Sequence, residues 1–84
     1  MIYTITIKQS AQKALTKIEA PQRTRLIEAI DKLKINPNAG SVLKGEFSGL
    51  RRVRIGDYRI VYEVQNGQLV ILVIRVAHRR DAYK

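Results

Sequence analysis

Apolar and polar residues alternate over residues 2–8, with Tyr3, Ile5 and Ile7 on one side of an extended chain and Thr4 and Thr6 on the other. That period of two predicts a half-buried strand. The period then changes to a helical one, in which Ala11, Ala14, Leu15 and Ile18 follow Ser10, a residue suited to capping a short helix. Pro21 interrupts and fits the first turn of a second helix, where its missing N–H is no loss. That helix carries Leu26, Ile27, Ile30 and Leu33 as a stripe, with Arg23, Arg25, Glu28, Asp31 and Lys32 outside it. Asn36-Pro37-Asn38-Ala39-Gly40 ends the helix. Two amphipathic helices in succession form a hairpin that needs an apolar surface to lie on.

The rest of the chain supplies that surface. Gly56-Asp57, between Val53-Arg54-Ile55 and Tyr58-Arg59-Ile60, is a two-residue hairpin signal, and Asn66-Gly67, between Val61–Val64 and Leu69–Val76, is a stronger one. A three-strand meander results. Residues 58–64 are apolar at both parities (Tyr58, Ile60, Tyr62, Val64 and also Val61), which predicts a central strand covered on both faces. The expected fold is α+β, in the order β-α-α-β-β-β, with the two-helix hairpin packed on one face of a small, mainly antiparallel four-stranded sheet. No repeat or linker divides the chain, so residues 1–84 are expected to form one domain.

Register adds chemistry to this outline. A two-residue loop at Gly56-Asp57 sets Ile55 opposite Tyr58, Arg54 opposite Arg59, Val53 opposite Ile60 and Arg52 opposite Val61. Alternation then gives Val53, Ile55, Tyr58 and Ile60 to the helix side and leaves Arg52, Arg54 and Arg59 together on the other. Like charges directly opposite one another destabilise a sheet, so the Arg54–Arg59 pair points to a site for an anion. The plainer alternative is that these arginines splay into water and pair with Glu63, Asp57 or Glu46.

Composition agrees with a polyanion as partner. The 16 lysines and arginines against 7 acidic residues give a net charge of +9, and residues 1–50 carry mainly lysine while Arg51 onward holds seven arginines and one lysine. Arginine grips phosphate with a planar fork, whereas lysine suits solvated helix faces. Charge alone leaves open a basic surface that serves solubility or attracts nucleic acid without specificity. The absence of cysteine excludes thiol catalysis, thiolate metal sites and disulfides. Met1–Ile7 is broken by threonines with no basic leader, so no secretory signal is expected. The longest apolar run, Leu69–Ile74, has six residues, against the ~20 of a membrane span. A cytoplasmic protein without membrane, metal or cofactor is expected.

The tail after the last strand, Arg75-Val76-Ala77-His78-Arg79-Arg80-Asp81-Ala82-Tyr83, brings the single histidine, two further arginines and a tyrosine. Attack of a ribose 2′-hydroxyl on its own phosphate needs a base, an acid and positive charge on the developing phosphorane, and a splayed base needs a stacking partner. His78 is suited to proton work near neutral pH, Arg79 or Arg80 to charge stabilisation, and Tyr83 to stacking or donation. The alternatives are a capping or surface histidine and a tyrosine that fills a gap against the sheet.

Leu43-Lys44-Gly45, Gly49-Leu50-Arg51-Arg52-Val53-Arg54, Gly56-Asp57-Tyr58-Arg59-Ile60-Val61-Tyr62-Glu63 and Val76-Ala77-His78-Arg79-Arg80-Asp81-Ala82-Tyr83 together resemble the RelE/ParE superfamily of bacterial toxins from type II toxin–antitoxin systems. The likeness covers essentially the whole chain and is closest to the RelE branch. It implies an endoribonuclease that cuts mRNA in the ribosomal A site without metal, and neutralisation by a RelB-type antitoxin in a heterodimer or heterotetramer.

The resemblance also implies site residues. Arg52 and Arg54 take the two basic positions of the second strand, lysines in the best-known member; Arg59 and Arg79 bind and stabilise the scissile phosphate, with Arg79 a candidate acid. Tyr83 orients or stacks on the mRNA base and assists the 2′-hydroxyl. Arg54, Arg59, His78, Arg79 and Tyr83 are thus the catalytic candidates, and Lys44, Arg51, Arg52, Arg54 and Arg80 the RNA-binding ones. Arginine at positions 52 and 54 is a poorer base than lysine, which shifts that role towards His78 or Tyr83. The competing reading is a ParE-like toxin that inhibits DNA gyrase by binding, without nuclease chemistry. A plain basic RNA- or ribosome-binding module explains the charge but not the like-charge pair.

Overall fold

The computed structural model describes residues 2–43 and 49–78. Strand β1 (Thr4–Ile7) leads into helices α1 (Gln9–Thr16) and α2 (Ala20–Lys32), followed by strands β2 (Ser41–Val42), β3 (Leu50–Ile55), β4 (Tyr58–Gln65) and β5 (Val70–His78). The sheet order is β1-β5-β4-β3-β2. Only β1 and β5 run parallel, and the other neighbours are antiparallel. The expected α+β arrangement is present, with a fifth strand added at the edge.

Side-chain periodicity explains the layering. Ala11 and Leu15 of α1, and Leu26 and Ile30 of α2 with Leu33 just beyond it, form one core with Ile60, Tyr62, Ile71, Val73 and Val76 of the sheet. Both helices therefore cover the same face. Ile27, placed in the apolar stripe by spacing, is half exposed and borders a groove beside β1 lined by Ile2, Tyr3, Ile5 and Ile7. No described helix is long and apolar enough to cross a membrane.

Three local expectations are corrected. Ser10 is not the cap of α1: Lys8 holds that position, with no side-chain cap bond. Its N–H donates to the Val73 carbonyl at 2.9 Å while its own carbonyl accepts from Gln12 at 2.9 Å, so the sheet ladder passes straight into the first helical turn. Asn66-Gly67 is not a two-residue hairpin, because Gln65 pairs with Val70 and a four-residue connection remains. Its positive φ, 55°, falls on Leu69. Two ties to the start of the chain accompany the wider loop: the Tyr3 hydroxyl, just before β1, donates to Asn66 Oδ1 at 2.7 Å, and Thr4 N–H donates to the Leu69 carbonyl at 2.8 Å. Finally, β4 is central but its helices lie on one side only, and Val61 on the opposite face is half-buried.

The added strand depends on Gly40. A Cβ there would stand 2.5 Å from the Arg52 carbonyl oxygen and 2.9 Å from the Tyr62 hydroxyl, closer than any side chain tolerates. The fully buried Tyr62 fixes this approach, since its hydroxyl donates to the Pro37 carbonyl at 2.8 Å and accepts from Gly40 N–H at 3.0 Å. The loop that ends α2 is thereby held against β3.

Candidate nucleic-acid interface

The register of β3 and β4 builds a charged face. Gly56, at φ 59°, supplies the left-handed conformation that a two-residue turn needs and that glycine adopts without strain. Ile55 then stands opposite Tyr58, Arg54 opposite Arg59, Val53 opposite Ile60 and Arg52 opposite Val61. All four expected pairs are present. Val53, Ile55 and Tyr58 pack against the helix-side core, with Ile60 fully buried in it, which leaves Arg52, Arg54 and Arg59 on the opposite face.

Strand β5 extends the face, with Ala77 opposite Arg59 and Arg75 opposite Val61. Two rungs of three residues result: Arg54–Arg59–Ala77 and Arg52–Val61–Arg75. Arg54 and Arg75 are exposed, whereas Arg52 and Arg59 are half-buried, and the Nε atom of Arg59 is fully withdrawn from solvent. Because Nε belongs to the guanidinium, burial in Arg59 reaches the charged head itself, whereas the exposed Arg54 and Arg75 keep their charge in solvent. Glu63 lies on this face one rung further, opposite Leu50, and accepts from Gln65 Nε2 at 2.8 Å.

Four guanidiniums, each a planar fork of N–H donors, gather on one face of this small sheet. They are able to donate to the oxygens of an anion and to place positive charge beside it. They supply no base. Among the described residues no cluster of three or more His, Asp or Glu side chains is arranged to hold a metal ion.

The structure does not bring every sequence-derived candidate to this face. His78 pairs with Tyr58 and meets its ring edge-on, centroids 5.2 Å apart at 89°. It lines a pocket of about 250 Å³ with Gln22, Arg25 and Asp57, on the side occupied by α2. Arg51 pairs with Tyr62, again on the helix side, and its Nη1 donates to the Gly40 carbonyl at 2.8 Å. Arg51 thus braces the loop before β2, with Arg52 next to it facing the opposite way. Lys44, Arg79, Arg80 and Tyr83 lie outside the described residues. Arg75, expected in a tail after the last strand, lies within β5 on the arginine face.

Comparison with known proteins extends these observations. Residues 5–83 match the family described as the ParE toxin of type II toxin–antitoxin systems, parDE. The chain is 29% identical to Toxin RelG of Mycobacterium tuberculosis over 86 residues, spanning 100% of this chain and 99% of the relative. The solved toxin–antitoxin complex RelBE2 of the same organism contains a chain with a TM-score of 0.86 and 27% identity, covering 94% of this chain and 100% of that one. The archaeal RelE–RelB complex of Pyrococcus horikoshii gives a TM-score of 0.79 at 32% identity, over 98% and 100% of the two chains. Sequence and fold agree along nearly the full length, and the chain belongs to the RelE/ParE superfamily of type II toxin–antitoxin toxins, on its RelE-like side.

Proposed function

We propose that this toxin is an endoribonuclease that cuts mRNA in the ribosomal A site, and that the arginine face is its substrate surface. The observation that carries the reading is the Arg54–Arg59 pair, two cations set directly opposite one another where a sheet built for stability alone would separate them. A phosphate between them converts that repulsion into two charge-assisted contacts.

In the proposed reaction the ribose 2′-oxygen forms a bond to the adjacent phosphorus and loses its proton. The bond from phosphorus to the 5′-oxygen of the next nucleotide breaks, and that oxygen takes up a proton. The products are a 2′,3′-cyclic phosphate and a 5′-hydroxyl. Arg54 and Arg59 hold the phosphate and stabilise its added charge, and Arg52 holds the backbone beside it. Tyr83 orients the base and assists the 2′-hydroxyl, whose proton passes to solvent, and Arg79 stabilises the leaving oxygen by hydrogen bonding while solvent supplies the proton it takes up. The side of the sheet on which His78 sits leaves it outside this scheme.

The partner in the cell is a RelB-type antitoxin. The solved relatives include RelB–RelE complexes, and a chain of net charge +9 attracts an acidic polypeptide as readily as RNA. Mixing the toxin with the product of the neighbouring gene is expected to raise its melting temperature, and an unchanged melt would contradict the pairing.

The family description, which carries the ParE name, favours a second reading, inhibition of DNA gyrase by binding. Expression in a bacterial host separates the two. Early arrest of translation with cleaved mRNA supports the nuclease, and a DNA-damage response with intact translation supports gyrase inhibition.

A further inference from the structure

Arg75 has no part in the scheme above, yet its direction depends on an irregularity of β5. Ile71 and Val73 are fully buried on the helix side, and strict alternation would carry residue 75 to that same side. A guanidinium placed there would bury charge in the apolar core, at a large desolvation cost. Instead the ladder shifts register: Val61 stands opposite Arg75 while Tyr62 stands opposite Val73, which makes Ile74 the extra residue. Beyond the shift Val76 returns to the core, and Arg75 turns outward, exposed beside the other arginines. Bulges bend a strand, re-aim a side chain and concentrate next to active sites.

The two rungs are spaced differently. Arg54 and Arg59 are separated by one inter-strand step of about 4.8 Å, and Arg52 and Arg75 by two steps, about 10 Å. A narrow pair suits one phosphate gripped from both sides. The wide pair has the half-buried Val61 between its cations, an apolar floor on which a ribose or base can lie while its flanking phosphates meet guanidiniums.

We infer that Arg75, across from Arg52, binds the RNA backbone phosphate next to the scissile one and so fixes the register of the strand over the Arg54–Arg59 pair. The inference rests on the reading of this face as an RNA site. Arg75 is a binding residue in this assignment. It contacts substrate and moves no proton.

The test is the salt dependence of binding to a single-stranded 2′-O-methyl RNA oligonucleotide, which has no free 2′-hydroxyl to attack. Each phosphate contact on a single strand contributes about 0.7 to the slope of log K against log salt. Arg75→Ala is expected to reduce the slope by about that amount and weaken binding about tenfold, the lower end for a charge-assisted contact. Arg75→Lys should keep the slope, since the point charge remains. Lys13→Ala, on the helix side, should leave it unchanged. Urea unfolding of Arg75→Ala with the wild-type midpoint separates lost contact from lost fold.

An Arg75→Ala slope equal to wild type overturns the assignment while the face remains an RNA site. Equal losses from Arg75→Ala and Lys13→Ala also overturn it, because they describe a diffuse cationic surface. A wild-type protein that does not bind the oligonucleotide, or binds it without salt dependence, overturns the reading of the face itself.

Discussion

The two faces of this sheet are made from the same strands, residue by alternate residue, and follow opposite rules. On the helix side, Ile60, Tyr62, Ile71 and Val73 are fully buried against Leu26, Ile30 and Leu33, and the Tyr62 hydroxyl has both a donor and an acceptor partner. Every choice there serves stability. On the other side Arg54 faces Arg59 in register, with Arg52 and Arg75 one rung away, an arrangement that spends stability on concentrated charge. The difference teaches where to look for function: the packed face carries the stability, and the other face keeps like charges close against it.

Substitutions on the two faces should therefore fail in different ways. The largest effect is expected from Leu26→Ala, which empties a fully buried position and should cost about 2–5 kcal/mol of unfolding free energy. Urea denaturation at constant m-value would measure it. Arg59→Gln should reverse the pattern. Cleavage on programmed ribosomes is expected to fall about 10²–10³-fold, as when one transition-state donor is lost, with the urea midpoint nearly unchanged.

Tyr62→Phe tests the link between the faces, because it leaves Gly40 N–H without its 3.0 Å acceptor beside the backbone of Arg52. A destabilisation of about 1–3 kcal/mol is expected, with loss of β2 pairing seen as faster amide exchange at Ser41 and Val42. The smallest effect carries an unusual sign. Arg54→Gln removes one of two opposed cations and is expected to raise stability by some tenths of a kcal/mol while cleavage falls. A variant that loses both would break the contrast between the faces.

How much of this was legible in the sequence follows from the same physics. The Gly56-Asp57 turn is short and stiff, so it sets the register of Arg52, Arg54 and Arg59 by counting alone, and that count held along the whole of β3. The helix hairpin was equally legible from its apolar spacing. Asn66-Gly67 misled because the contacts of Tyr3 and Thr4 with its loop come from the far end of the chain. Strand β2 has two residues and no periodicity, and the demand that residue 40 be glycine arises from a backbone approach rather than a local turn.

The expectation of a tail from Arg75 onward gives way, because β5 continues to His78 and includes both Arg75 and His78. The ladder shift at Ile74 breaks the period of two, so no count from Leu69 onward places either residue correctly. The shift puts Arg75 with the arginines and His78 against Tyr58 on the helix side. A charged residue in phase with Ile71 and Val73 was the available sign that alternation could not continue.

The most direct test of the arginine face as a nuclease surface is primer extension on mRNA from cells expressing the wild type or Arg54→Gln/Arg59→Gln. Wild-type expression should give cuts at A-site codon positions, and the double variant, folded and present at equal level, should give none. Equal cutting by the double variant, or intact mRNA in arrested wild-type cells, would contradict the account.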